Sequence, residues 1–178
     1  MTWSGETAST RIRALQASDA AILFPLVFQS PVTRNLVWDG PASLQEYCVS
    51  VADFAERTSR GEMHMFAIVD ATTGRPAGSI GVRPYTDGFR GDVGLWLGEP
   101  FQGRGHGTAA IHLASRYAFE CLGLAKLEAA VFTGNYPSRR AFEKNRFRCE
   151  GTIRHAVRKQ GILVDEWLMG LLREEMAS

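Results

Sequence analysis

The chain has 178 residues, 45% of them hydrophobic, with 20 Lys and Arg against 19 Asp and Glu and a formal net charge of +1. That length can bury one domain's core without disulfides or metal, and the near-neutral charge excludes an overall field that would draw the protein onto nucleic acid or an anionic membrane. The three cysteines, Cys48, Cys121 and Cys149, form no CxxC or Cys/His spacing, no metal is expected, and no run approaches the roughly 18 apolar residues of a membrane span, so a soluble protein of the reducing cytoplasm is expected.

Neither an internal repeat nor a Ser/Pro linker divides the chain. Residues 1–9 read as a flexible start. Residues 10–15 read as a strand, with Ser18 and Asp19 as N-cap candidates for an apolar helix over 20–29. Residues 31–41 are irregular, and Ser43-Leu44-Gln45-Glu46 then has the capping-box form ahead of a helix reaching about residue 60. Residues 65–69 and 77–84, separated by Thr72-Thr73-Gly74-Arg75-Pro76, read as two antiparallel strands, and 92–97 as a third. A glycine-rich loop follows, then a helical pattern over 108–122 closed by Gly123 at the expected C′ position. Residues 126–132 alternate as a buried strand does, Asn135 can cap another helix with Pro137 in its first turn, and 148–157 with 162–171 form a closing hairpin. The sum is an α+β domain with a mostly antiparallel sheet, helices on both faces and one strand-loop-helix-strand unit at its centre.

The loop is the densest local signal. Gly103, Gly105 and Gly107 remove every second side chain from a segment that runs into a helix N-terminus, leaving a row of amides at the positive end of the helix dipole. Such a row suits a phosphate or pyrophosphate, and Arg104 and His106 lie between the glycines as added charge. A merely tight connection is the competing reading. The spacing is not the Rossmann G-x-G-x-x-G, and no G-x-x-x-x-G-K-[ST] exists.

Gln102-Gly103-Arg104-Gly105-His106-Gly107 resembles the Q/R-x-x-G-x-G/A motif of the GNAT superfamily of N-acetyltransferases. Asp92-Val93-Gly94-Leu95-Trp96-Leu97 looks like the strand before that motif, and NYPSRRAFEKNRF, residues 135–147, is similar to the N-x-x-S-x-R-x-x-E-K-x-G-F segment of the RimJ/RimL-like branch, the ribosomal-protein alanine acetyltransferases. Trp38-Asp39-Gly40-Pro41 and Asp165-Glu166-Trp167 through Leu172-Arg173-Glu174 are also similar to that branch. The resemblance covers residues 10–174 and implies a single GNAT-like domain with a central β-loop-α site for acetyl-CoA as co-substrate. One departure is Arg146, where the pattern has glycine; Asn145 is expected to take the left-handed helix-ending conformation in its place.

For the site, the resemblance implies that the pyrophosphate lies on Gln102, Gly103, Arg104, Gly105, His106, Gly107 and Thr108, and the pantetheine along Leu95, Trp96 and Leu97, in a gap left as that strand diverges from 127–132. A backbone N–H near Leu95 would serve as oxyanion donor. Asn135 would hydrogen-bond the co-substrate. Ser138 matches the family's serine as the acid for the departing thiolate, with Tyr136 as competitor because a phenol, pKa about 10, is closer to a thiol. Asp92 is the candidate base through a water, against a solvated strand-edge aspartate; an α-amino group, pKa about 7.7–8.0, needs little help. Both Ser138 and Asn135 also read simply as first-turn and cap residues.

Between residues 134 and 148 five basic residues, Arg139, Arg140, Lys144, Arg146 and Arg148, stand against Glu143 alone, a local charge of +4. Arg140 and its neighbours either face the 3′-phosphate of coenzyme A or form a solvated face; direct nucleic-acid binding is disfavoured because aromatic interleaving is sparse. Trp38, Tyr47, Phe54, Tyr85 and Phe89 lie where the family builds its acceptor pocket, with core packing as the default. The amine acceptor, a small molecule or a protein N-terminus, stays open. So do succinyl-CoA as donor, with Arg34 or Arg83 as carboxylate partner, a non-catalytic acyl-CoA sensor, and a homodimer as the assembly.

Overall fold

The computed structural model describes residues 3–176. Its strands are β1 (Ser4–Glu6), β2 (Thr10–Ala14), β3 (His64–Asp70), β4 (Pro76–Pro84), β5 (Arg90–Leu97), β6 (Lys126–Phe132), β7 (Arg148–Lys159) and β8 (Ile162–Leu172). Its α-helices are α1 (Asp19–Val27), α2 (Leu44–Ser59), α3 (His106–Glu120), α4 (Tyr136–Glu143) and α5 (Arg173–Met176), with a 3-10 turn at Pro31–Asn35. The strands form one sheet in the order β1-β2-β3-β4-β5-β6-β8-β7, antiparallel throughout except between β5 and β6.

The α+β architecture expected from the sequence is the one observed. Within β2, β3 and β4, Ile12, Ile68, Ile80 and Val82 point to one face and pack with Ala110, Leu113 and Ala114 of α3. Ala67 and Val69 point to the other, against Ala20 and Leu23 of α1 and Tyr47 and Val51 of α2. Alternation along each strand thus gives both faces an apolar surface, and each is covered by helices. Among the described residues no helix is long and apolar enough to cross a membrane.

The feature that positions the site is the β5–β6 pairing. It holds for Arg90, Gly91 and Asp92 against Lys126, Leu127 and Glu128, and then stops. β5 continues to Leu97 along β4, while β6 stays with β8 to its end, from Lys126 opposite Leu172 to Phe132 opposite Glu166. The two strands therefore part in the middle of the sheet.

Local signals act as the side-chain chemistry directs, with four differences from the sequence expectations. Ser18 makes no side-chain cap to α1. Asp19 is instead buried, where its carboxylate takes both guanidinium nitrogens of Arg13 at 2.7 and 2.8 Å and the Gln16 N–H at 2.9 Å. At α2 the Ser43 hydroxyl accepts from the Glu46 N–H at 3.1 Å, but the Glu46 carboxylate reaches past Ser43 to the Ala42 N–H, also 3.1 Å. At the end of α4 it is Arg146, φ +67°, that adopts the left-handed conformation, and not Asn145. Asn145 is held by its amide, which donates to the carbonyls of Thr108 and Ala141 at 2.9 Å and so ties α4 to the first turn of α3. The fourth difference lies in the start expected to be flexible, residues 1–9, where Ser4–Glu6 pairs with Arg13, Ile12 and Arg11 as an edge strand; residues 1–2 lie outside the described residues.

The closing hairpin forms where expected, but Arg158 and Lys159, expected in its turn, pair with Leu163 and Ile162 as the end of β7. The hairpin turns through Gln160 and Gly161, both at positive φ, +48° and +83°, the combination a two-residue type I′ turn requires.

Candidate functional site

Where β5 and β6 part, a cleft of about 560 Å³ opens, walled by Leu95, Trp96 and Leu97 of β5, Gly103, Gly105 and Gly107 of the loop with Thr108 behind them, Asn135 at the cap of α4 and Ser138 within it, and the turn 31–36. Two backbone requirements shape its floor. Gly103 and Gly105 sit at φ +72° and +86°, which side chains with a Cβ rarely adopt, and a Cβ at either would point into open space. The first hydrogen bond of α3 runs from the Ala109 N–H to the Gly105 carbonyl at 3.0 Å. The amides of His106, Gly107 and Thr108 in front of it therefore have no acceptor in the helix, and the positive end of its dipole adds to them. Gln102 donates its amide to the Leu97 carbonyl at 2.9 Å, fastening the loop to the end of β5.

Three cations line the same cleft: Arg34 from the 3-10 turn, Arg140 from α4 and Lys144 just beyond it. None of their side chains has a hydrogen-bond or ion-pair partner among the described residues, whereas neighbouring Arg139 is engaged by Glu143 at 2.7 Å. Unpaired positive charge beside free helix amides is an anion-binding arrangement. Among the described residues no group of three or more His, Cys, Asp or Glu could hold a metal.

The remaining sequence candidates are placed as follows. Asn135 caps α4 through its side-chain oxygen, which accepts from the Ser138 N–H at 3.3 Å. Both residues line the cleft, and the Ser138 hydroxyl has no partner of its own among the described residues. Tyr136 is exposed and its ring packs on Trp167, centroids 5.3 Å apart, so it is not part of the cleft wall. Asp92 precedes the point of divergence, and its carboxylate is gripped by Arg83, its cross-strand neighbour, at 2.5 and 3.1 Å. The His106 side chain, expected beside the loop, does not line the cleft. The ring is 4% exposed, lies within 2.9 Å of the Thr10 hydroxyl and pins α3 to β2, because the first residue of that helix faces the sheet. Arg104 is exposed and likewise outside the cleft wall.

A second cavity, about 340 Å³, lies on the side of the sheet covered by α2. Trp38, Tyr47 and Phe54 line it, while Tyr85 and Phe89 do not; their rings lie 5.4 Å from the guanidinium of Arg90. Sequence reasoning named Arg34 only as a carboxylate partner for succinyl-CoA and missed the rest of the turn 31–36 as a wall of the cleft, and Met65, Ser50 and Ser79 as walls of the second cavity. A proline-led irregular stretch gives no sign of which surface it faces.

Known proteins resemble the chain in sequence and in fold. The chain is 29% identical over 127 residues, 70% of its own length and 70% of the relative's, to the probable N-acetyltransferase YjcK of Bacillus subtilis strain 168. Its fold is that of RimL, a ribosomal L7/L12 alpha-N-protein acetyltransferase, with a TM-score of 0.86 at 20% identity over 97% of this chain and 95% of that one. It is also that of Mycobacterium smegmatis RimJ in complex with CoA-disulfide, with a TM-score of 0.83 at 21% identity over 95% of this chain and 84% of that one. Residues 10–148 match the acetyltransferase (GNAT) domain, and the chain belongs to the GNAT family of acetyltransferases.

Proposed function

We propose that the protein transfers an acetyl group from acetyl-CoA to a primary amine by direct attack on the thioester. The observation that carries this reading is the cleft between β5 and β6, which joins the free amides of α3 to three unpaired cations and to Ser138. The loop amides of 103–108 take the pyrophosphate, with negative charge stabilised by the helix dipole. Arg140 and Lys144 face the 3′-phosphate end. The open edge of β5, released from β6 after Asp92, offers its backbone to the pantetheine amides in place of a strand, and an N–H near Leu95 receives the oxyanion.

In the transfer, the amine lone pair forms a bond to the thioester carbonyl carbon, and collapse of the tetrahedral intermediate breaks the carbon–sulfur bond. The electron pair leaves with sulfur. The nitrogen gives up one proton to the Ser138 oxygen as Ser138 delivers the proton of its otherwise unpartnered hydroxyl to the sulfur, so that the serine ends the step as a hydroxyl again. Asp92, ion-paired with Arg83, is not assigned the base. An amine that is partly unprotonated near neutral pH enters the step without one.

Amine-dependent thiol release from acetyl-CoA, with the acetylated amine identified by mass, tests the reading. Thiol release that rises with amine and saturates supports it; binding of acetyl-CoA with no turnover over a broad amine panel would contradict it.

A further inference from the structure

We infer that the acceptor is a primary amine whose neighbouring carbon carries an uncharged group larger than a methyl, a ring or a branched aliphatic chain, seated in the second cavity. This inference rests on the acyl-transfer reading above and names the substrate class of that site.

The cavity and the cleft share Leu36, Leu95 and Trp96, so they meet at the segment of β5 that has left β6. A molecule in the second cavity is thus on the far side of the Leu95–Trp96 wall from the pyrophosphate loop, with its amine directed at the thioester end. The walls of the cavity are apolar: Leu15, Val37, Trp38, Tyr47, Phe54 and Met65 form most of it. Trp38 and Tyr47 are stacked, rings 6.1 Å apart and 18° from parallel, giving a flat aromatic side.

Among the described residues no carboxylate and no cation lines this cavity. Its polar members are already committed or buried. The Ser50 hydroxyl donates to the Glu46 carbonyl of its own helix at 3.0 Å, and Ser79 is 3% exposed in the middle of β4. Burial raises the Tyr47 phenol well above its ordinary range, with the charge of Asp19 adding to it, so that ring presents no charge either. A polyamine or aminoglycoside would have to leave a second ammonium among these walls with no partner, which is strongly unfavourable. An apolar body loses only its contact with water there. The volume, about 340 Å³, is at the lower end of small-ligand sites and fits one ring or one branched aliphatic group. Two sources carry that chemistry: a free arylalkyl or branched alkylamine, or the first residue of a peptide.

The test compares kcat/KM for acetyl transfer to phenethylamine, isopentylamine and peptides beginning with Phe or Leu against peptides beginning with Ala, spermidine and kanamycin. The apolar amines are expected to exceed all three controls by about tenfold or more, chiefly through KM. Which of the free amines or the Phe and Leu peptides leads distinguishes the two sources. Two variants follow the same readout. Ser50→Asp places a carboxylate in the cavity and is expected to cost the apolar amines about tenfold or more in KM. Phe54→Leu keeps the cavity apolar and is expected to lower kcat/KM for phenethylamine relative to isopentylamine. Calorimetry with acetyl-CoA alone accompanies each variant and is expected to be unchanged. If acetyl-CoA binds and spermidine, kanamycin or the Ala peptide is the best acceptor, the substrate class is wrong while the acyl-transfer reading stands. If acetyl-CoA does not bind, both fall.

Discussion

The ammonium of Lys159 donates to the Trp38 carbonyl at 3.0 Å and to the Asp39 carboxylate at 2.5 Å, 121 and 120 residues away along the chain. The end of β7 thereby holds the loop whose Trp38 ring walls the second cavity, although Lys159 itself touches neither cavity. Lys159→Met keeps the apolar stem and removes the tie. It is expected to raise KM for the amine severalfold while leaving acetyl-CoA affinity in place, and to lower stability by about 1–3 kcal/mol, as loss of charged hydrogen bonds does. Steady-state kinetics and thermal unfolding check both. A variant with unaltered KM would show that the loop is held elsewhere.

Gly105→Val tests the anion site. The residue stands at φ +86° with open space where a Cβ would go, so valine is strained by about 1–2 kcal/mol and its methyls enter the region assigned to the pyrophosphate. Acetyl-CoA affinity is expected to fall more than tenfold in a variant whose thermal transition remains cooperative. Equal affinity in the folded variant would place the phosphates elsewhere.

Ser138→Ala is expected to lower kcat by roughly 10² or more, the lower end for loss of a general acid, with acetyl-CoA affinity little changed. Tyr136→Phe retains the ring on Trp167 and is expected to keep kcat, since the phenol is outside the cleft. Asp92→Asn likewise should leave kcat near wild type because Arg83 holds that carboxylate. Reversal of this ranking, with Tyr136→Phe or Asp92→Asn the slow variant, would reassign the acid or add a base.

Much of this arrangement was legible in the sequence, for reasons confined to short stretches of chain. Ser43 and Asn135 announce helix starts because their side chains satisfy an amide three residues on, and Gly123 at φ +73° ends α3 because it carries no Cβ. Gly103 and Gly105 mark the loop for the same reason. What was not legible depends on residues distant in sequence. Asp92 looks available until the β4–β5 register sets it opposite Arg83. His106 looks like a side chain facing the loop until α3 docks it against Thr10. Arg34 becomes a cleft residue only because the turn 31–36 folds over β5, and Asn145 is kept from ending α4 by Thr108, which is 37 residues away.

Glu166, 7% exposed in β8, has no ion-pair partner among the described residues, and burial raises its pKa above the ordinary 4.5. The folded state therefore binds the proton more tightly than the unfolded chain. Stability contributed in this way is present below about the unfolded value and is lost as pH rises through the higher folded one. Glu166→Gln, uncharged at all pH, is expected to raise the unfolding temperature near neutral pH relative to wild type, with the difference shrinking toward acid. Unfolding scans of both proteins between about pH 4 and 8 check the sign; a gap that widens toward acid would contradict it.

The most direct measurement is calorimetric titration of the wild-type protein with acetyl-CoA. The account predicts saturable binding at one site per chain, weakened by salt because phosphates meet Arg140, Lys144 and the α3 amides. Absence of binding, or binding indifferent to salt, would contradict the assignment of the β5–β6 cleft to an acyl-CoA.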